Sequence, residues 1–461
     1  KHGAVASELV NCSRIGIDVL KEGGSAVDAA IATELCVGTI NAFSAGIGGG
    51  GLMLIHLPNG TAEFIDSREA APHIANKGMF IKNPISASVG GLSVGVPGEI
   101  NGMKIAHERY GKLPWKRLFE PSIKLSRDGF PVGKELDIRL KMFRDVMEQD
   151  PALSAIYAPS GKILKEGEIG SIAQSLIKEI NRRGGNMSCD DFKNYKTIIR
   201  EPVIGYYHGR KIITTSEPTS GPSLIFMLNL LEKIVETLKF GFARRTELGD
   251  PEYFRDQFAH ETRIQEIISK EYAALVRANV SDNQTFDPDY YNPIFDHKDD
   301  HGTTHISVNL IWGSQVLDPV TGILLNDEMD DFSIPGAPNH FGLRPSPYNF
   351  VSPGKRPLSS TVPTIVENEN GKVELVTGGS GGTKILSAVL QSSSSIATQF
   401  RIEQGLNYEL VDKLLTIGHV IQLHNIESRD QSCQVHAIRK FKDGTIHAVS
   451  DFRKNGIAAG Y

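Results

Sequence analysis

The stretch Asp299-Asp300-His301-Gly302-Thr303-Thr304-His305-Ile306-Ser307-Val308 sets a threonine behind a glycine, at the mouth of an alternating, β-branched run. A threonine hydroxyl is a weak nucleophile, but a threonine that begins a chain can use its own α-amine as the base. Cutting the Gly302–Thr303 bond would free such a residue. Gly302 permits an unusual backbone at the cut, and a strand over 304–311 would hold Thr303 rigid. On these residues alone, a plain loop leading into a strand is the simpler reading. The nearby Asp296, His297, Asp299, Asp300, His301 and His305 invite a metal reading, yet their spacing matches no finger and no helix aligns them. No metal and no cofactor is expected.

A second chemical candidate is Gly46-Ile47-Gly48-Gly49-Gly50-Gly51. It matches G-x-G-x-x-G, but a dinucleotide fingerprint follows a strand and opens a helix. Here a helix precedes and a strand follows, so the glycines are expected to serve close backbone packing, or close approach of a ligand, beside a sheet.

The elements that must position these residues are readable from periodicity and punctuation. Residues 7–22 read as a helix closed by Gly23-Gly24, and Ser25 caps a second helix to about residue 37. Strands at 52–57 and 61–66 flank the turn Pro58-Asn59-Gly60. Helices are expected at 113–127, with Pro114 near the first turn, at 169–183, from 224 to 235 with a broken continuation toward 245, and within 253–278. Strands are expected at 210–214, 304–311, 322–325, 362–367 and 373–376, then a last helix and strands from 383 onward. This order fits an α+β layered body better than a βαβ series.

At 461 residues the chain is long enough for two or three domains or for one large layered one. A hydrophobic fraction of 40% and a charged fraction of 22% are those of a globular protein, and a net charge of −5 without a basic stripe argues against nucleic acid as a partner. No apolar stretch reaches bilayer length. Five acceptor patterns for N-glycosylation, at Asn11, Asn59, Asn186, Asn279 and Asn283, lean toward the secretory pathway. The four cysteines lack a C-x-x-C spacing, so buried free thiols are one reading, and Cys12 with Cys36, on consecutive helices, is the candidate disulfide if the protein is secreted.

Longer motifs carry a resemblance. GTTHISV (302–308), GGSAVDAAIA (23–32), GIGGGG (46–51), DSREAAP (66–72), GGLSVGVPGE (90–99), GKLPWKRLFEPSIKLSRDGFPVG (111–133), RRTELGDP (244–251), GILLNDEMDDFS (322–333), PGKRPLSSTVPT (353–364) and GGSGGTKI (378–385) occur in the order found in γ-glutamyltransferases. The chain resembles that family over nearly its whole length. The resemblance implies an N-terminal-nucleophile hydrolase fold, an αββα sandwich of four layers, split by autocatalytic cleavage after Gly302 into a large-subunit-like region (1–302) and a small-subunit-like region (303–461) of one structural domain. It makes Thr303 the nucleophile and gives the oxyanion hole to the backbone N–H groups of Gly381 and Gly382. Arg68, Ser359 and Ser360 would grip the α-carboxylate of the substrate. Asn309, Glu328 and Asp331 would hold its α-ammonium. Cys12 and Cys36 resemble a pair that is disulfide-bonded in animal members. The implied partners are glutathione and other γ-glutamyl compounds as donors, with amino acids, dipeptides or water as acceptors.

The chain departs from the family pattern after Val308, where members carry a further hairpin ending in a threonine that supports the nucleophile. Shorter contractions occur near 167–173, 231–237 and 424–427. An uncut, catalytically impaired family member therefore stands as the alternative. A related acylase of the same fold is a third reading, opposed by Arg68, Ser359, Ser360 and Asp331, which together describe an α-amino-acid head group. The expected setting is extracellular, cell-surface or vacuolar, and a sequence starting at Lys1 is compatible with an anchor upstream.

Overall fold

The computed structural model describes residues 3–170, 174–175, 184–185, 187–231, 234–281, 284–295, 312, 314–318, 320–337, 345–394, 416, 434–450 and 458–460. Two sheets form its centre. The first holds β1 (Gly51–His56), β2 (Ala62–Ser67) and β3 (Ile198–Arg200), antiparallel in that order. The second holds β4 (Val203–Tyr207), β5 (Arg210–Thr214), β6 (Thr364–Glu367), β7 (Val373–Ser380), β8 (Gln434–Lys440) and β9 (Ile446–Val449). Its strand order is β9-β8-β7-β6-β5-β4, all antiparallel. His56 Nε2 on β1 lies 2.6 Å from Glu367 Oε1 on β6, a polar contact that joins the two sheets, and Lys211 Nζ on β5 lies 3.3 Å from Glu367 Oε2.

Helices cover the outer faces. On the first sheet lie α1 (Val10–Lys21), α2 (Ala26–Ile40), α3 (Glu99–Tyr110) and α4 (Trp115–Asp128). Ile55 and Ile65 of the sheet bury against Val27, Ile31, Leu35, Met103 and Leu118. Ser25 caps α2 reciprocally with Asp28, and Asp28 Oδ2 also accepts from Lys112 N at 2.8 Å, which ties the start of α2 to the turn before α4. A Cβ on Gly16 would lie 2.3 Å from Thr33 Oγ1, so α1 and α2 touch where only glycine fits. A disulfide joins them through Cys12 and Cys36, whose Cα atoms are 5.3 Å apart.

On the second sheet lie α5 (Gly221–Leu230) and α9 (Ile385–Ser394), with α6 (Ile234–Arg245), α7 (Gln257–Ile267) and α8 (Lys270–Arg277) behind α5. Ile212, Val366 and Leu375 bury against Leu224, Leu228, Ile385, Leu386 and Val389. The order of layers is helix, sheet, sheet, helix.

Three sequence expectations need correction. Where a helix is expected from residue 169 on, Ile169–Gly170 pairs with Phe130–Pro131 and Gln174–Ser175 pairs with Val320–Thr321; residues 176–183 of that expectation lie outside the described residues. The strand expected at 322–325 is reduced to a single antiparallel Leu317–Leu324 bridge, after Gly322 at φ +66° reverses the chain. The helical span 253–278 divides at Ser269, whose hydroxyl accepts from Tyr272 N at 3.1 Å and starts a new helix. The strand expected at 304–311 lies outside the described residues. No helix among the described residues is long and apolar enough to cross a membrane.

Candidate active site

β2 ends in Asp66-Ser67, and the chain continues through Arg68 and Glu69 into the space between the layers. Arg68 is buried, and its guanidinium meets two segments. Nη2 donates to Asp331 Oδ2 at 2.5 Å and to Leu358 O at 3.2 Å, Nε donates to Pro357 O at 2.8 Å, and Glu328 Oε1 forms an ion pair with Nη2 at 2.5 Å. Glu328 and Asp331 open and close a single 3-10 turn, Glu328–Asp331, so both carboxylates face the same arginine.

Two asparagines hold that turn in place. Asn326 Nδ2 donates to Gly48 O and Gly95 O, while its Oδ1 accepts from Gly95 N and Glu328 N. Asn349 donates to Asp331 O at 2.8 Å and accepts from Leu358 N at 3.0 Å, joining the acidic turn to the serine segment. The glycine loop has the role that its sequence context suggested. A Cβ on Gly48 would meet Leu324 O at 2.2 Å and one on Gly50 would meet Ser67 O at 2.5 Å, so backbone packs directly on backbone.

Because Arg68 rests on the carbonyls of Pro357 and Leu358, the next two residues, Ser359 and Ser360, are brought beside it; both are buried. Ser359 Oγ lies 2.7 Å from Thr361 Oγ1, and Ser360 Oγ accepts from Arg245 Nη2 at 2.7 Å. This segment leads into β6, whose Thr364 pairs with Thr377 of β7. The antiparallel register therefore sets the end of β7, and Gly381-Gly382 after it, at the edge where the serines enter. Gly381 at φ +130° and Gly382 at φ +61° turn the chain from β7 into a 3-10 turn and then α9, a strand-to-helix corner whose N–H groups carry no shielding side chain.

The structure thus assembles Arg68, Glu328, Asp331, Ser359 and Ser360, with Gly381 and Gly382 at the adjoining edge. Gly302, Thr303 and Asn309 lie outside the described residues, as do Asp296, His297, Asp299, Asp300, His301 and His305. Among the described residues, no group of His, Cys, Asp and Glu could hold a metal ion.

Four contributors were missed by the sequence reading: Asn326, Asn349, Arg245, and Tyr195, whose hydroxyl donates to Arg68 O at 2.8 Å. Asn326 and Arg245 stand inside quoted motifs and were open to notice; Asn349 and Tyr195 carry no local signal. Burial raises the Glu69 carboxyl to about 7, with Arg68 pulling the other way. Burial also raises the Glu99 and Glu34 carboxyls, and the charge of Glu34 raises Glu99 further.

Two sheets packed face to face between helical layers, with the candidate site residues gathered around Arg68, define an N-terminal-nucleophile hydrolase fold. The chain superposes on cephalosporin acylase from Bacillus halodurans with a TM-score of 0.80 at 19% identity, covering 100% of this chain and 97% of that one, a likeness of fold. It also matches the γ-glutamyltranspeptidase of Helicobacter pylori, with a TM-score of 0.57 and 27% identity over 63% of this chain and 95% of that chain. The γ-glutamyltranspeptidase family model matches residues 12–169 and 169–399. Glutathione hydrolase proenzyme 1 of Schizosaccharomyces pombe is 40% identical over 100% of this chain and 85% of its own length. This chain belongs to the γ-glutamyltranspeptidase family.

Proposed function

We propose that this protein transfers and hydrolyses the γ-glutamyl group of glutathione and related γ-glutamyl compounds, after cutting itself between Gly302 and Thr303 into chains 1–302 and 303–461 that stay associated. The observation that carries the reading is the convergence of Arg68, Glu328, Asp331, Ser359 and Ser360. A guanidinium and two hydroxyls suit an α-carboxylate, and two carboxylates suit an α-ammonium. A donor fixed by its head group presents its γ-carbonyl at a constant distance, and in this proposal Thr303 is the group that attacks it.

In this scheme the Thr303 Oγ–H bond breaks as Oγ bonds the γ-carbonyl carbon, the proton passing to the α-amine of Thr303. The N–H groups of Gly381 and Gly382 receive the oxyanion. Collapse breaks the C–N bond, and the departing amine takes the proton. Water, an amino acid or a dipeptide then attacks the γ-glutamyl ester, giving its proton to the Thr303 α-amine, and the C–Oγ bond breaks as that proton returns to Thr303 Oγ. Asn309 joins Glu328 and Asp331 in holding the ammonium. A secretory, extracellular, cell-surface or vacuolar setting belongs to the proposal, supported by the Cys12–Cys36 disulfide.

One observation favours the alternative of an uncut, catalytically impaired member. The match to the S. pombe relative runs over 541 positions, while this chain has 461 residues, so it lacks interior segments that the relative carries. A denaturing gel with mass spectrometry decides between the two. Two fragments from the parent, the smaller starting at Thr303, beside an uncut Thr303→Ala, are expected, followed by release of the free aniline from a γ-glutamyl anilide. One intact chain in both samples would hand the protein to the alternative.

A further inference from the structure

We propose that Arg245 is a positioning residue for the carboxylate-reading serines, an inference that rests on the donor site proposed above. Arg245 ends α6 and is 1% exposed. Its Nη2 donates to Ser360 Oγ at 2.7 Å and its Nε donates to Ser220 Oγ at 2.7 Å. Ser220 Oγ in turn donates to Ser359 O at 2.8 Å, Ser220 N reaches Thr361 O at 3.3 Å, and Ser359 N donates to Pro218 O at 2.8 Å. The segments 218–220 and 359–361 are laced together, and one guanidinium fastens the lacing from behind.

The direction of every bond follows from valence. A guanidinium has five N–H donors and no acceptor, and a hydroxyl has one proton and two lone pairs. Arg245 must therefore donate to both serines. Ser220 is left with its single proton, which goes to Ser359 O and fixes the backbone of the pair. Ser360 has a lone pair held by a cation, so its own proton is turned to donor use, and a donor polarised by a buried positive charge binds an anion more strongly. Arg245 thus decides how Ser360 meets a carboxylate without reaching the ligand itself.

The test uses the full-length protein and calorimetric titration with L-glutamate, with glutarate, which keeps the carboxylate and lacks the ammonium, and with γ-aminobutyrate, which does the reverse. Arg245→Lys is expected to weaken L-glutamate and glutarate by about 10- to 100-fold while γ-aminobutyrate changes by less than about twofold. Ser360→Ala should cost little more in the Arg245→Lys background, since the hydroxyl is then already misdirected. Ser220→Ala keeps the buried cation, guards against a variant that fails to fold, and should show the same selectivity at smaller amplitude. Equal weakening of all three ligands, or an undiminished Ser360→Ala loss in both backgrounds, overturns the proposal and leaves Arg245 a structural residue. If the parent does not bind L-glutamate at all, the donor-site reading fails and this inference falls with it, an outcome distinct from a parent that binds and a variant that binds the same.

Discussion

Two ionic clusters grow from positions two residues apart at the end of β2, and they are built on opposite plans. Asp66 takes Arg200 Nε at 2.7 Å on one oxygen and pairs with Arg356 Nε at 3.3 Å on the other. Asp250 completes the set, 3.2 Å from Arg200 Nη2 and accepting from Arg356 N at 3.0 Å. Two carboxylates meet two guanidiniums, and four segments are locked. Around Arg68, among the described contacts, one guanidinium faces two carboxylates, both on Nη2. That nitrogen has two protons, and they go to Asp331 and Leu358, so Glu328 is paired by charge alone. The first cluster is balanced and reads as structure. In the proposed function, the second exchanges its contacts with an incoming carboxylate and ammonium, as a binding site for a zwitterion requires.

The largest test of that distinction is Asp66→Asn. It leaves two buried guanidiniums against one carboxylate, and breaking a buried pair in this way is expected to cost about 4 kcal/mol of stability. Denaturant unfolding should show the loss, while the folded fraction keeps its affinity for L-glutamate. Should affinity fall and stability hold, the two clusters would have to exchange roles.

Next in size is Asp331→Asn, which keeps the volume and removes one negative charge from the Arg68 side. Binding of L-glutamate should weaken by about 100-fold, or about 3 kcal/mol, because a desolvated charge pair is lost. Glutarate, lacking the ammonium, should bind as before or tighter, since Arg68 is released from one competitor. A matching loss for glutarate would show that Asp331 only supports Arg68.

How much of this could be read beforehand depended on whether the signal was local. Ser25 with Asp28, the glycine pairs, and alternation along β1, β2 and β5 are local, and those elements appeared within three residues of their expected bounds. Arg68, Ser359, Ser360, Glu328 and Asp331 were nameable only through resemblance, because a serine pair before a strand or an acidic turn has no distinctive spacing of its own. The bonds that fasten them were out of reach: Tyr195 to Arg68, Asn349 to Asp331 and Arg245 to Ser360 span 127, 18 and 115 residues. Segments 169–175 and 320–325 failed for a related reason, since short strands paired across long separations carry too few residues to show a period.

The smallest expected effect concerns Glu69, which stands beside Arg68 and decides how negative that cluster is. Burial raises its carboxyl from 4.5 to about 7, so between those values the folded chain holds a proton that the unfolded chain has released. The sign follows from linkage: the protonated form's contribution is fully present below about pH 4.5 and is lost as pH rises through about 7. Glu69→Gln removes the cost of ionising there. A shift of this size caps the gain at about 3 kcal/mol, and losing the attraction of a carboxylate to Arg68 trims it to about 2 kcal/mol. Denaturation at about pH 4 should therefore show parent and variant alike, and at about pH 8 the variant more stable. A difference that stays flat with pH would mean that Glu69 remains ionised beside Arg68. The second cluster would then hold three anions rather than two, and its demand for a cationic group would be stronger than the contacts of Glu328 and Asp331 alone imply.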